Sequence, residues 1–279
     1  MWIFLAACSS FLLGLYDAAK KQALQKNGVL AVLLAATALS TLFVSPFLSA
    51  GPWSDHLKLM LKAVLVTSSW VSGMVGLKLL PLTTVSTIKG SRPLFVVLFS
   101  VILFGEKLSL LQWAGVVIVL GALFLLGHTS KADAPVQVRK TGFIWMGVSV
   151  VTGVVSALYD KHIMQGMEPM FVQSWTNLYI TILLALCIAL RGKKEAGARF
   201  RWDWWILVVA LMITAADACY FFALKQPDAL LSVISVIRRA AVIITFLCGA
   251  IFFKEGNLKA KSFNILLMAA GVILLLIGK

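Results

Sequence analysis

Apolar stretches of about twenty residues, separated by short polar joints, run along the whole chain. They fall at 2–19, 27–48, 58–79, 81–104, 108–127, 141–162, 168–190, 202–224, 228–253 and 258–278. At ~1.5 Å rise per residue, a helix of ~20 apolar residues crosses a hydrocarbon layer ~30 Å thick. The pattern predicts an all-α polytopic membrane protein with ten transmembrane helices. The opening stretch, MWIFLAACSSFLLGLYDAA, has no basic n-region and no small-residue cleavage site ahead of a polar chain, so it reads as a first span and not a signal peptide. The longest polar joints are HTSKADAPVQVRKTG and RGKKEAGARFR. The first of them divides the chain into a five-helix repeat at 1–127, a linker at 128–140 and a second five-helix repeat at 141–279.

Three matches in the same order carry the repeat. Leu15-Tyr16-Asp17 returns as Leu158-Tyr159-Asp160, and Leu77-Lys78 as Leu224-Lys225. Thr83–Glu106 returns as Ser232–Glu255, 149 positions on (232 − 83 = 149), with Ser86 on Ser235 and Lys89 on Arg238. An odd number of spans in each half makes the two repeats inverted, an arrangement that places a transport site near the bilayer midplane where the halves meet. Pro93 is expected to kink span four beside Gly90 and Arg92, and Pro227 to open span nine.

The repeated segments also hold the candidate chemistry. Lys89 and Arg92 lie roughly 12–16 Å from the start of their span, near the bilayer centre, where a cation needs a cavity or a partner. Arg238 and Arg239 occupy the same depth in span nine. Four cations converging there suit an anion, arginine adding a bidentate fork for phosphate or carboxylate. Thr83, Ser86, Ser232 and Ser235 share the stripe and are candidate substrate contacts, against the plainer use of hydroxyls to bond their own helix. Asp217 is the acid nearest mid-depth, expected either to pair with an arginine or to couple a proton. Asp17, with Lys20 and Lys21 close by, and Asp160, whose neighbour Lys161 faces elsewhere, are further pairing or coupling acids. Glu106 and Glu255 are expected to fix loops or helix N-termini across a short turn.

Composition agrees with a membrane chain: 61% of the 279 residues are hydrophobic and 13% charged, and the mean hydropathy is +0.96. The formal charge of +14 lies mostly in joints flanking the spans, with no basic run interleaved with aromatics, which argues against nucleic acid and for lipid head groups. Joints after spans one, three, five, seven and nine carry fifteen Lys and Arg. The opposite side carries six, Lys58, Lys62, Lys107, Lys161, Lys225 and Lys279, and the midplane four. The first side is thus expected in the cytoplasm, with both termini outside. Cys8, Cys187, Cys219 and Cys248 all sit inside spans without metal spacing. No nucleophile–base pair or glycine-rich phosphate loop appears, so neither an enzyme nor a cofactor or metal is expected.

On these features the chain resembles the drug/metabolite transporter superfamily, EamA type. The resemblance rests on ten spans in two halves, on Gly105-Glu106 and Lys254-Glu255 at the ends of spans four and nine, and on LKLLPLTTVSTIKGSRPLFVVLFSVILFGEKLSLLQWAGVVIVLGALFLL. It implies a secondary transporter in the bacterial cytoplasmic (inner) membrane. The phosphate-exchanging branch is similar in placing basic residues at mid-depth on spans four and nine, as Lys89, Arg238 and Arg239 are placed here. The expectation is a carrier of a small phosphorylated or carboxylated anion working by alternating access, as a monomer or dimer. The alternatives are an exporter of amino acids or amphipathic drugs and a flippase of a phosphorylated lipid carrier.

Overall fold

The computed structural model describes residues 1–80, 88–89, 91–129, 140–191, 200–252 and 258–278. Thr83, Ser86, Glu255 and most of the expected linker lie outside these. Among the described residues there are helices and no strand. The helices are α1 (Trp2–Ala23), α2 (Val29–Val44, continued by a tight turn at Ser45–Phe47), α3 (Trp53–Leu79), α4 (Arg92–Phe104), α5 (Leu110–Thr129), α6 (Lys140–Met164), α7 (Pro169–Arg191), α8 (Trp204–Lys225), α9 (Leu231–Arg239), α10 (Ala241–Phe252) and α11 (Leu258–Ile277). Seven segments among the described residues are long and apolar enough to cross a membrane, and three shorter apolar helices stand at 92–104, 110–125 and 262–277. The protein is an integral, multi-pass membrane protein.

Span nine departs from the uninterrupted helix that its apolar pattern suggests. The helix stops at Arg239, turns at Ala240 and restarts at Ala241. Both arginines occupy the last turn of α9, where their charge meets the negative end of the helix dipole. In span four, residues 88–89 are helical, Ser91 lies in a turn and the helix resumes at Arg92. Arg92 opens α4 with Pro93 in its first turn, where the missing N–H costs no hydrogen bond. The two restarts are equivalent, since Arg92 moved by 149 positions falls on Ala241 (92 + 149 = 241).

Packing across the halves is reciprocal. α3 lies along α6 as α8 lies along α1; α2 meets α7, α5 meets α11, and α4 meets α9. The first four map onto one another, or onto themselves, when α1, α2, α3 and α5 are exchanged for α6, α7, α8 and α11. Small residues permit the closest approaches. A Cβ added to Gly115 would lie 2.8 Å from the Gly271 carbonyl oxygen, so the α5 and α11 backbones touch there. On the α3–α6 seam, Ser69 and Ser149 each donate to the other's carbonyl at 2.7 Å.

The joint before α8 shows how a span end is held. Asp203 accepts from the Trp205 N–H at 3.1 Å, as an N-cap, and Lys26 from the α1–α2 joint sits 3.0 Å from its other oxygen. Asn27 donates to the Arg201 carbonyl and accepts from the Arg201 N–H, at 2.8 and 2.7 Å. The Trp205 N–H, then Lys26, hold the Asp203 carboxyl below its ordinary range. A lowered folded-state value means that its contribution is complete above pH ~4 and is lost as pH falls through the depressed value. Asp203→Ala is expected to lose about 1 kcal/mol at neutral pH and to flatten the acid side of the stability curve. Unfolding in detergent followed between pH ~5 and ~3 checks both.

Candidate functional site

The restarts of spans four and nine bring the cations together. Arg238, near the end of α9, places its Nη2 2.8 Å from Asp217 Oδ1 on α8. Its guanidinium lies over the Tyr220 ring, 4.0 Å from the centroid, a cation–π stack one turn along α8. The Tyr220 hydroxyl donates to Asp160 Oδ2 on α6 at 3.2 Å. The other Asp160 oxygen is ion-paired with Lys62 on α3. Four helices are thus joined in one chain running Lys62, Asp160, Tyr220, Arg238, Asp217.

Arg92 reaches in a different direction. Its Nη2 donates to the Gly153 carbonyl of α6 at 2.5 Å. A Cβ on Gly153 would lie 2.5 Å from the Arg92 Cζ and 2.8 Å from Nε, so only glycine leaves the guanidinium flat against α6. Gly73 does the same for Lys89, whose Nζ would be 3.3 Å from an added Cβ. Lys89 is exposed and Arg239 half-buried. Lys89, Arg92 and Arg239 lie within Coulombic reach of one another, and Arg238 within reach of Arg92 and Arg239.

The charge ledger of the cluster follows. Lys62, Lys89, Arg92, Arg238 and Arg239 supply five positive charges, and Asp160 and Asp217 two negative ones, which leaves +3 (5 − 2). Among the described residues no carboxylate lies within ion-pair distance of Lys89, Arg92 or Arg239. Asp17 on α1 is within Coulombic reach of Arg239 and 3.9 Å from Lys20, which is itself within reach of Lys89, so this pair adds no net charge to the +3. The N-termini of α4 and α10, the positive ends of two short helices, open beside the same cluster.

The remaining expected residues separate. Ser235, half-buried, is one turn from Arg238 and Arg239. Ser232 is elsewhere: it is fully buried at the start of α9, its hydroxyl donating to Glu106 Oε2 at 2.5 Å. Glu106 also accepts from the Leu231 N–H at 2.6 Å and the Ser232 N–H at 3.0 Å, so it holds a helix N-terminus across the bundle. Asp217 is engaged with an arginine, and Asp160 with Lys62 rather than with its neighbour Lys161, which donates to the Ala229 carbonyl.

Lys62 is a correction to the sequence reading, which counts it among the loop cations. α3 begins at Trp53, five residues before the expected start of the span, so Lys62 is roughly 14 Å inside the helix and 3% exposed. Its partner is 98 positions away, beyond any local spacing rule. The pairing of Tyr220 with Arg238, and the glycine cradles, were equally invisible because they join separate helices.

Gly153→Ala is expected to push the Arg92 guanidinium off α6 while the fold survives, because the far end of a flexible side chain can move. An anion held by the cluster would then be bound about tenfold less tightly, one charge-assisted hydrogen bond being worth ~1.5–3 kcal/mol. Titration of purified protein with phosphate, beside an unfolding curve, separates this from misfolding.

A model of the EamA-like transporter family matches residues 1–127 and again 140–277. No curated protein matches the sequence. A solved structure described only as "Crystal structure of protein" has a similar fold, with a TM-score of 0.77 and 17% identity over 98% of this chain and 94% of that one.

Proposed function

The chain belongs to the EamA-like transporter family of the drug/metabolite transporter superfamily, and from that premise we propose that it is a secondary transporter of a small phosphorylated or carboxylated anion. The observation that carries this reading is the +3 left at the junction of the halves, with Lys89, Arg92 and Arg239 unmatched by carboxylates among the described residues. An unmatched cation within the bilayer is expensive, and an anionic guest lowers that cost. Arg92 and Arg239 supply planar forks, Lys89 a mobile point charge, and the starts of α4 and α10 add partial positive charge.

In this reading the ten spans form two inverted five-helix repeats that rock about the cluster in alternating access. Contacts between joints support the inversion. The α1–α2 joint meets the segment before α8 through Asn27 and Arg201, whereas Lys225 at the end of α8 donates to the Met167 carbonyl of the α6–α7 joint at 2.9 Å. α1 thus ends on the face where α8 begins, and α6 on the face where α8 ends. The basic α1–α2 joint would face the cytoplasm of a bacterial cell. Exchange of one anion for another suits the charge balance, since an empty site would have to reorient with three positive charges.

Purified protein in liposomes loaded with inorganic phosphate tests the proposal. Saturable uptake of labelled phosphate or dicarboxylate that needs an internal anion is the expected result. Uptake confined to neutral or cationic amino acids would sink it.

A further inference from the structure

The acids that flank the cluster towards its two faces differ in exposure. Leu158-Tyr159-Asp160 on α6 is the repeat of Leu15-Tyr16-Asp17 on α1 (160 − 17 = 143). The two aspartates stand in opposite surroundings. The Asp160 side chain is 8% exposed, and its partner Lys62 4%. The Asp17 side chain is 45% exposed, and the Lys20 beside it 35%.

The helices that pack on them differ in the same sense. The step of 147 that carries Leu77-Lys78 to Leu224-Lys225 carries Gly73 to Tyr220 and Lys62 to Val209. Where α8 has the Tyr220 ring under Arg238, α3 has a glycine beside Lys89. Where α3 has Lys62, α8 has Val209, which with Tyr16, Lys20, Leu24, Val32 and Met74 lines a cavity between α1, α2, α3 and α8.

We propose that Lys62, with Asp160 and Tyr220, is the closed gate on the face where α6 and α8 end, and that substrate enters from the face bearing Asp17 and Lys20. This rests on the transporter reading above, since an alternating-access site is sealed on one face at a time. Lys62 does not touch the anion; it is a positioning residue that acts through Asp160. A buried ion pair suits a gate because its net stabilisation is small, so parting costs little once water reaches both charges. The link to the site runs through Tyr220. Its ring carries the Arg238 guanidinium and its hydroxyl holds Asp160, so an anion that draws Arg238 off the ring also loosens the gate.

The test uses full-length protein in which Cys8, Cys187, Cys219 and Cys248 are replaced by alanine and Ser156→Cys is added as a reporter. Ser156 is 4% exposed and one turn before Asp160 on the same face of α6. In detergent the parent is expected to resist a water-soluble maleimide. Lys62→Met with Asp160→Asn removes both charges together, so no lone buried ion remains. This double variant is expected to bind phosphate within about threefold of the parent in a thermal-shift titration. Labelling of the reporter thiol should rise by at least about tenfold and phosphate exchange in liposomes should fall by a similar factor. The charge-reversed pair, Lys62→Asp with Asp160→Lys, should restore protection. Tyr220→Phe, which keeps the ring under Arg238 but frees Asp160 of its hydroxyl, should raise labelling and replaces the neutral variant if that one does not fold. Phosphate binding with unchanged labelling and exchange in the neutral variant would overturn the gate. Absence of any phosphate shift in the parent would overturn the anion reading instead, and the labelling comparison would still decide the gate.

Discussion

Alanine at both Lys89 and Arg239 is expected to weaken binding of the proposed anion by orders of magnitude without weakening the fold. Neither side chain has a carboxylate partner among the described residues, and they repel each other and Arg92. Their removal therefore relieves like-charge repulsion, and Asp17, the acid within Coulombic reach of Arg239, keeps Lys20 beside it. Each contributes a charge-assisted hydrogen bond to a bound anion worth ~1.5–3 kcal/mol, so the pair should lose about 3–6 kcal/mol of binding. That corresponds to an affinity lower by about 10²–10⁴-fold. Phosphate titration and liposome exchange read the loss, and an unfolding curve as good as the parent's completes the result. Arg238→Ala behaves differently, because Asp217 then keeps its charge without its partner. That variant should be destabilised by about 3 kcal/mol or more, and Asp217→Ala in the same chain should recover part of it. A double Lys89, Arg239 variant that exchanges phosphate normally would end the case for an anion site.

The second large effect is on stability. Glu106→Ala is expected to destabilise the protein by about 3–5 kcal/mol, because it strands two buried N–H groups and a hydroxyl at the start of α9, each costing ~1–3 kcal/mol less whatever water recovers. Gly105 makes the contact possible. It ends α4 in the left-handed region, at φ 61°, and turns the chain so that the next side chain points across to α9. Glu106→Gln retains one acceptor and should lose about half as much. Ser232→Ala removes one donor and leaves the backbone bonds, which predicts a loss of about 1 kcal/mol. Denaturant unfolding in detergent of the three variants gives the order, and a Glu106→Ala protein as stable as its parent would refute the capping role.

How far these features can be read from the sequence depends on their range. The spans are legible because burial in lipid demands long apolar helices, and Glu106 because a carboxylate beside a turn is a common helix cap. The shared depth of Lys89, Arg92, Arg238 and Arg239 follows from the 149-residue repeat. The break at Ala240 was hidden, since AAVIITF carries neither proline nor glycine to announce it. Lys62 was hidden by an error of five residues in where a helix begins, which moved a charge from the interior to the membrane edge. Ser232 carries the same lesson in reverse. It shares the helical stripe of Arg238, but two turns along a helix separate the bundle's end from its centre.

The interruption after Arg239 bears on how the protein reaches its bilayer. A segment with two adjacent arginines at its middle is a poor substrate for insertion by itself, each costing about 2.5–3.5 kcal/mol on translocon scales. Only residues 226–230 separate α8 from α9, so the two can enter as a hairpin in which Asp217 offsets Arg238 during entry. Asp217 then matters to biogenesis as well as to the finished carrier. Its loss should appear first as molecules whose second half fails to integrate.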